Sequence, residues 1–144
     1  MTNWLTELRY DVARTSAQES SGLLKFTDPR DDTTVAGSVP IVGVVMPEAP
    51  DEVVAMSATV LVESAETIVM LALRFRAQTE ARLDEIGDTL DNIWTKRDAG
   101  TLGAVKLIMS QWASGASLGQ DEALRLARSA TYYLTVFRPL ANRY

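Results

Sequence analysis

Residues 84–91 hold four carboxylates, Asp84, Glu85, Asp88 and Asp91, and side-chain oxygens at that density could hold a hard divalent cation. Helical spacing sets them opposite the apolar stripe of Leu83, Ile86, Leu90, Ile93 and Trp94. A solvated helix face explains such a set, because cation sites usually draw ligands from several elements. Asp28, Asp31 and Asp32 form a second acidic group. They lack the Asp-x-Asp-x-Asp-Gly run and closing glutamate of a calcium loop, and aspartate is a common turn former. Ser110, Ser114 and Ser117 are hydroxyls without an activator. The chain has no histidine and no cysteine, which removes imidazole-assisted nucleophiles, thiolates and the commonest metal ligands. Gly37, Gly43, Gly100, Gly103, Gly115 and Gly119 fit neither of the familiar phosphate-cradling patterns. Only carboxylate chemistry is left, and no spacing brings two carboxylates together for it. The expectation is a protein with no enzymatic activity, no cofactor and no metal.

Arginines and aromatic rings offer contact chemistry instead. Arg74, Arg76 and Arg138 lie at expected strand ends, with Arg143 just beyond. A basic rim there could meet an acidic partner, or simply guard sheet edges. Trp112, Tyr132, Tyr133 and Tyr144 supply large amphipathic rings, which with arginine are favoured at protein interfaces.

The 144 residues are enough for one domain with a substantial core. With 47% hydrophobic and 23% charged residues, the composition is that of a globular protein. A net charge of −5 argues against nucleic-acid sequence recognition, which rests on lysine and arginine meeting phosphates. No run approaches the roughly 18 consecutive apolar residues of a membrane helix. Glu7 and Asp11 stand where a signal peptide would be basic and then apolar. The chain is expected to be soluble and made in a cytoplasm.

These residues need elements to position them. Asn3 can cap a first helix, with Glu7 in its first turn and Leu5, Leu8 and Val12 on one face. Residues 25–38 are polar and turn-rich and are expected to form an exposed loop. The β-branched run 39–46 predicts a buried strand, stopped by the two prolines of 47–51. A strand over 53–62 follows, then the clearest one, 67–76. There Val69, Leu71, Leu73 and Phe75 alternate with Ile68, Met70, Ala72, Arg74 and Arg76. A second helix is predicted over 79–96, with Lys96 and Arg97 at its C-terminal end and Gly100 to close it. Residues 104–112 alternate as a strand and 114–119 read as a loop. Residues 132–137 form a last aromatic, β-branched strand stopped by Pro139. Residues 122–130 stay open. Propensity and an Asp121–Arg125 pair favour a helix, while alternation permits a strand running on into Tyr132, bulged near Ala130. This order predicts an α+β fold: a single, mainly antiparallel β-sheet of four to five strands with two α-helices packed on one face.

Met46-Pro-Glu-Ala-Pro-Asp-Glu-Val-Val54 resembles the Met-Pro-x-x-Pro-Asp turn that leads into a strand in tail-terminator, or tail-completion, proteins of long-tailed actinobacterial phages, also described as minor tail proteins. Leu73-Arg-Phe-Arg76 is similar to their Val-Arg-x-Arg strand end. Gly100-Thr-Leu-Gly103, Ser117-Leu-Gly-Gln-Asp121, Arg128-Ser129 and Tyr132-Tyr-Leu-Thr-Val-Phe-Arg-Pro139 resemble the remaining landmarks, in the same order and after the same opening helix. The resemblance covers most of the chain and is best after Gly100. The family often places an Asn-Gly turn and a Trp-Glu-Arg strand where this chain has Ala123-Leu-Arg-Leu-Ala127, and Phe137 stands where a polar residue is usual. The resemblance favours strand over 122–130.

The resemblance implies that residues 1–144 are a single tail-terminator-like domain with the lambda-type terminator fold. It implies a structural role: a ring, usually a hexamer, at the head-proximal end of the tail tube. Such a ring ends tube polymerisation and provides the docking surface for the head connector. The partners implied are further copies of the chain, the tail tube protein and the head–tail connector protein. The place implied is the virion tail, after assembly in the host cytoplasm. Another head–tail joining or head-completion protein of the same virion neck is the alternative, since neighbouring components share folds. Candidate subunit or tube contacts are Met46, Pro47, Pro50 and Asp51 on the stiff turn, together with Arg74, Arg76, Trp112, Arg138, Arg143 and Tyr144.

Overall fold

The computed structural model describes residues 3–95, 97–98, 100–103 and 105–138. The Asn3 side chain accepts from the Leu5 amide at 2.7 Å and so caps α1, Trp4–Gln18. Leu8 and Val12 lie on its buried face. Thr79 caps α2, Glu80–Trp94, through the Arg82 amide, and Leu83, Ile86, Leu90, Ile93 and Trp94 are buried. The strands are β1 (Leu24–Thr27), β2 (Thr34–Val35), β3 (Val39–Val42), β4 (Val53–Val62), β5 (Glu66–Ala77), β6 (Thr101–Leu102), β7 (Val105–Gln120) and β8 (Leu126–Phe137). They form one sheet in the order β2-β1-β3-β4-β5-β8-β7-β6. β3 runs parallel to both β1 and β4, and the other pairs are antiparallel.

This overturns the expected α+β fold with a mainly antiparallel sheet of four to five strands. The protein is mostly β, with a mixed sheet of eight strands curled into a half-barrel. Three local effects account for most of the difference, and the two-residue β6, Thr101–Leu102, is too short to show any alternation. β1, from Leu24, and β2 fall almost wholly within the stretch 25–38 expected to be a loop, and only Leu24 and Phe26 alternate as buried residues in β1, too few to stand out from their polar surroundings. The Ser- and Gly-rich segment 114–119, also expected to be a loop, continues β7, because backbone pairing with β8 needs no particular side chain. Segment 122–130 divides: 121–125 is the turn and the rest opens β8. The register shifts fall in β7, between Leu107 and Met109, Trp112 and Ser114, and Ser117 and Gly119, and not near Ala130. β3 also ends at Val42, short of the expected Met46. Pro139 and Lys96 lie outside the described residues.

Val54 and Met56 of β4, Val69, Leu71, Leu73 and Phe75 of β5, and Tyr132, Leu134 and Val136 of β8 join both helices in one core. Trp94 ties its parts together. Its indole N–H donates to the Ser16 hydroxyl at 2.9 Å, which donates in turn to the Val12 carbonyl, and its own carbonyl accepts from the Ser110 hydroxyl at 2.6 Å. Every polar group in this chain of bonds has a partner, as burial requires. No described helix is long and apolar enough to cross a membrane.

Candidate assembly surface

The turn between β3 and β4 contains a cis Ala49–Pro50 bond and is held by arginines. Arg76, on β5, is only 6% exposed. Its guanidinium donates to the carbonyls of Asp51 at 3.2 Å, Glu48 at 3.3 Å and Pro50. Arg125, 7% exposed, reaches the Glu48 carbonyl from the β7–β8 turn and pairs with Asp121 at 2.8 Å and Asp51 at 3.5 Å. Arg74 donates to the Val44 carbonyl at 2.7 Å, and Gln78 to the Asp51 carboxylate at 2.8 Å. Burial, and next the charge of Arg125, lower the pKa of Arg76. Carbonyl dipoles from one loop thus solvate a desolvated cation, and the loop's path is set in return. The structure brings Pro50, Asp51, Arg74 and Arg76 together at this rim, in the same turn as Met46 and Pro47.

The remaining candidates are dispersed. Arg138 is 3% exposed and serves the interior: it donates to Glu63 at 2.9 Å and lies 3.9 Å from the centre of the Trp4 ring. Trp112 stands opposite Tyr132 on β7 and is 53% exposed. Arg143 and Tyr144 lie outside the described residues. Sequence reasoning missed Arg125, because its spacing from Asp121 matches a helical pair. In the structure that pair closes a turn, where Asp121 also accepts from the amides of Ala123 and Arg125. These bonds, the Arg125 amide first, hold the Asp121 carboxyl below its usual range. Leu124, in the same turn, combines a left-handed φ of 62° with an exposed side chain. Exposed Val44 and Val45 were also passed over, since the run 39–46 was expected to be a buried strand.

Five of the seven carboxylates in the two acidic groups have arginine or hydroxyl partners. Asp28 is buried and accepts from the amide and guanidinium of Arg30, while Arg14 bonds Asp31 at 2.8 Å and Asp28 at 3.2 Å. On α2, Asp84 pairs with Arg128 and Glu85 with Arg82, and Asp91 accepts from the Tyr132 hydroxyl at 2.8 Å. Burial and that acceptor raise the Tyr132 pKa. Among the described residues no three carboxylates gather as metal ligands would. What the surface offers is shaped contact: a rigid turn, a long hairpin and exposed apolar side chains.

No protein-family model matches the chain, and no curated protein matches it by sequence. By structure it is similar to a chain from the virion of a native gene transfer agent particle. The TM-score is 0.52, over 68% of this chain and 78% of that one, at 8% identity. The likeness is one of fold.

Proposed function

We propose that this chain is a structural protein of a phage-type virion and, more specifically, a tail terminator. In this role it forms a ring at the head-proximal end of the tail tube, ends tube polymerisation and offers the surface on which the head connector docks. Its partners are further copies of itself, the tube protein and the connector, and its task is mechanical, with no catalysis. The observation that carries this reading is the fold shared with a virion chain. Added to it is the resemblance of the Met46–Asp51 turn and the β7–β8 hairpin to terminator landmarks. The rim itself supports the same reading, because it is stiffened by buried arginines and bordered by exposed apolar residues, which suits contact between subunits.

Deleting the protein from its particle and imaging the tails tests the assignment. Overlong tubes without attached heads are the expected result. Tails of normal length beside leaky or unjoined heads would instead place the protein elsewhere in the neck, as a head-completion or head–tail joining component. A complementary assay adds purified protein to polymerising tube subunits, where growth should stop at substoichiometric amounts.

A further inference from the structure

Two stretches, 33–47 and 107–120, run for fifteen and fourteen residues without a charged side chain, longer than any other in the chain. The first contains β2 and β3 and passes through Val44 and Val45, which are 56% and 79% exposed. The second is most of β7. The two flank β4, β5 and β8 on opposite sides, and at about 4.8 Å between neighbouring strands β3 and β7 are separated by roughly 20 Å measured along the curled sheet.

Beyond Ser110, whose amide bonds the Arg97 carbonyl, β7 has, among the described residues, a strand on one side only. Every residue from 111 to 120 is exposed except Ala113, which is half-buried. The edge carries none of the lysines, prolines or inward charges that usually guard an open strand, although bulges fall near Ala113 and Leu118. Trp112 and Leu118 add large exposed apolar side chains to it.

We propose that the free edge of β7, residues 111–120, docks onto the Val44 and Val45 segment of a second copy of this chain. The proposal rests on the ring reading above and deepens it by naming the two unlike surfaces a ring requires. Both are uncharged and each carries two large exposed apolar side chains, Trp112 and Leu118 on one and Val44 and Val45 on the other, so their contact buries no unpaired charge. They lie on opposite flanks of one subunit and cannot cover each other within it. Pairing β7 with its own copy would leave Val44 and Val45 bare, whereas a head-to-tail contact covers both patches at once. Head-to-tail contacts related by a closing rotation make a ring.

The chain has no cysteine, so introduced cysteines report contacts without background. Ser117→Cys and Val45→Cys chains, co-assembled into particles and oxidised, are expected to link to each other and not to themselves. A chain carrying both substitutions should give a ladder of covalent oligomers ending at the ring. Self-linked Ser117→Cys chains would set β7 against β7 and overturn the proposal. Intact rings without the mixed link would overturn it too while leaving the ring reading standing. Absence of any ring on tail tubes, with unsubstituted protein, would sink the ring reading itself. Val45→Asp alters only an exposed side chain and should weaken association at least ten-fold with an unchanged circular dichroism spectrum. Unaltered association of that variant counts against the docking surface.

Discussion

Arg76 shows how much a single side chain can organise. Replacing it by methionine keeps the apolar stem but strips the Asp51 and Pro50 carbonyls of their donor and leaves the Glu48 carbonyl to Arg125 alone. Arg76→Met is expected to lose about 2–4 kcal/mol of stability, seen as a lower urea midpoint, and to make the 43–51 segment sensitive to protease. Arg76→Lys should recover only part, because one ammonium cannot span the fork's three acceptors. The β1–β2 turn should respond to acid. The Arg14 guanidinium pulls Asp31 down to about 2 from an ordinary 3.8, and Arg30 lowers Asp28 in the same direction. Carboxyl groups with depressed folded-state pKa values stabilise fully above their unfolded value and cease to do so as pH falls through the folded one. Protection from amide exchange at Asp28 and Asp32, whose N–H groups bond Thr33 and Asp28 carbonyls, should therefore fall, relative to the intrinsic rate at each pH, between about pH 4 and pH 2. Protection that persists unchanged to pH 2 would contradict the assigned pairs. At this scale the sequence showed the residue types but not their direction. Arg76 and Arg138 look like rim cations in a strand pattern, and both turn inward because a loop or a ring comes to meet them.

At the scale of elements, close approach between segments makes a sharp prediction. A Cβ at Gly37 would lie 2.2 Å from the Leu24 carbonyl oxygen, while one at Gly43 would meet nothing nearer than 3.7 Å. Gly37→Ala should cost about 1–3 kcal/mol or more by displacing β1 from β3. Gly43→Ala should stay within about 0.5 kcal/mol. Thermal melts of the two variants decide the matter, and equal melting temperatures would refute the packing described at Gly37. Legibility varied by element for definite reasons. β5 was readable because its residues 66–75 alternate between buried and more exposed positions, and the caps Asn3 and Thr79 mark both helix starts. β1 was hidden because four residues give two alternations, fewer than a turn-rich background conceals. The distal part of β7 was hidden for another reason: its strand character comes from β8 alongside, and its own serines and glycines give no hint of it.

For the molecule as a whole, Trp94 is the keystone, since its bonds reach α1 and β7 from the end of α2. Trp94→Ala should lower stability by about 3–5 kcal/mol and loosen both helices together, so helical circular dichroism and near-ultraviolet signals should fall in one transition. Separate transitions would mean that the helices answer to different parts of the sheet. The overall fold class was the least legible feature, because a sheet's extent depends on pairings between segments far apart in the chain. The centre of this sheet has a consequence in time. β8 is synthesised after every other described strand, yet it lies between β5 and β7. A ribosome that has not yet reached Leu126 holds the β4–β5 hairpin and the β6–β7 hairpin as two pieces with no seam between them. Burial of the core must wait for that one strand to be threaded into place, and until then the nascent protein has nothing like its final shape to offer a neighbour.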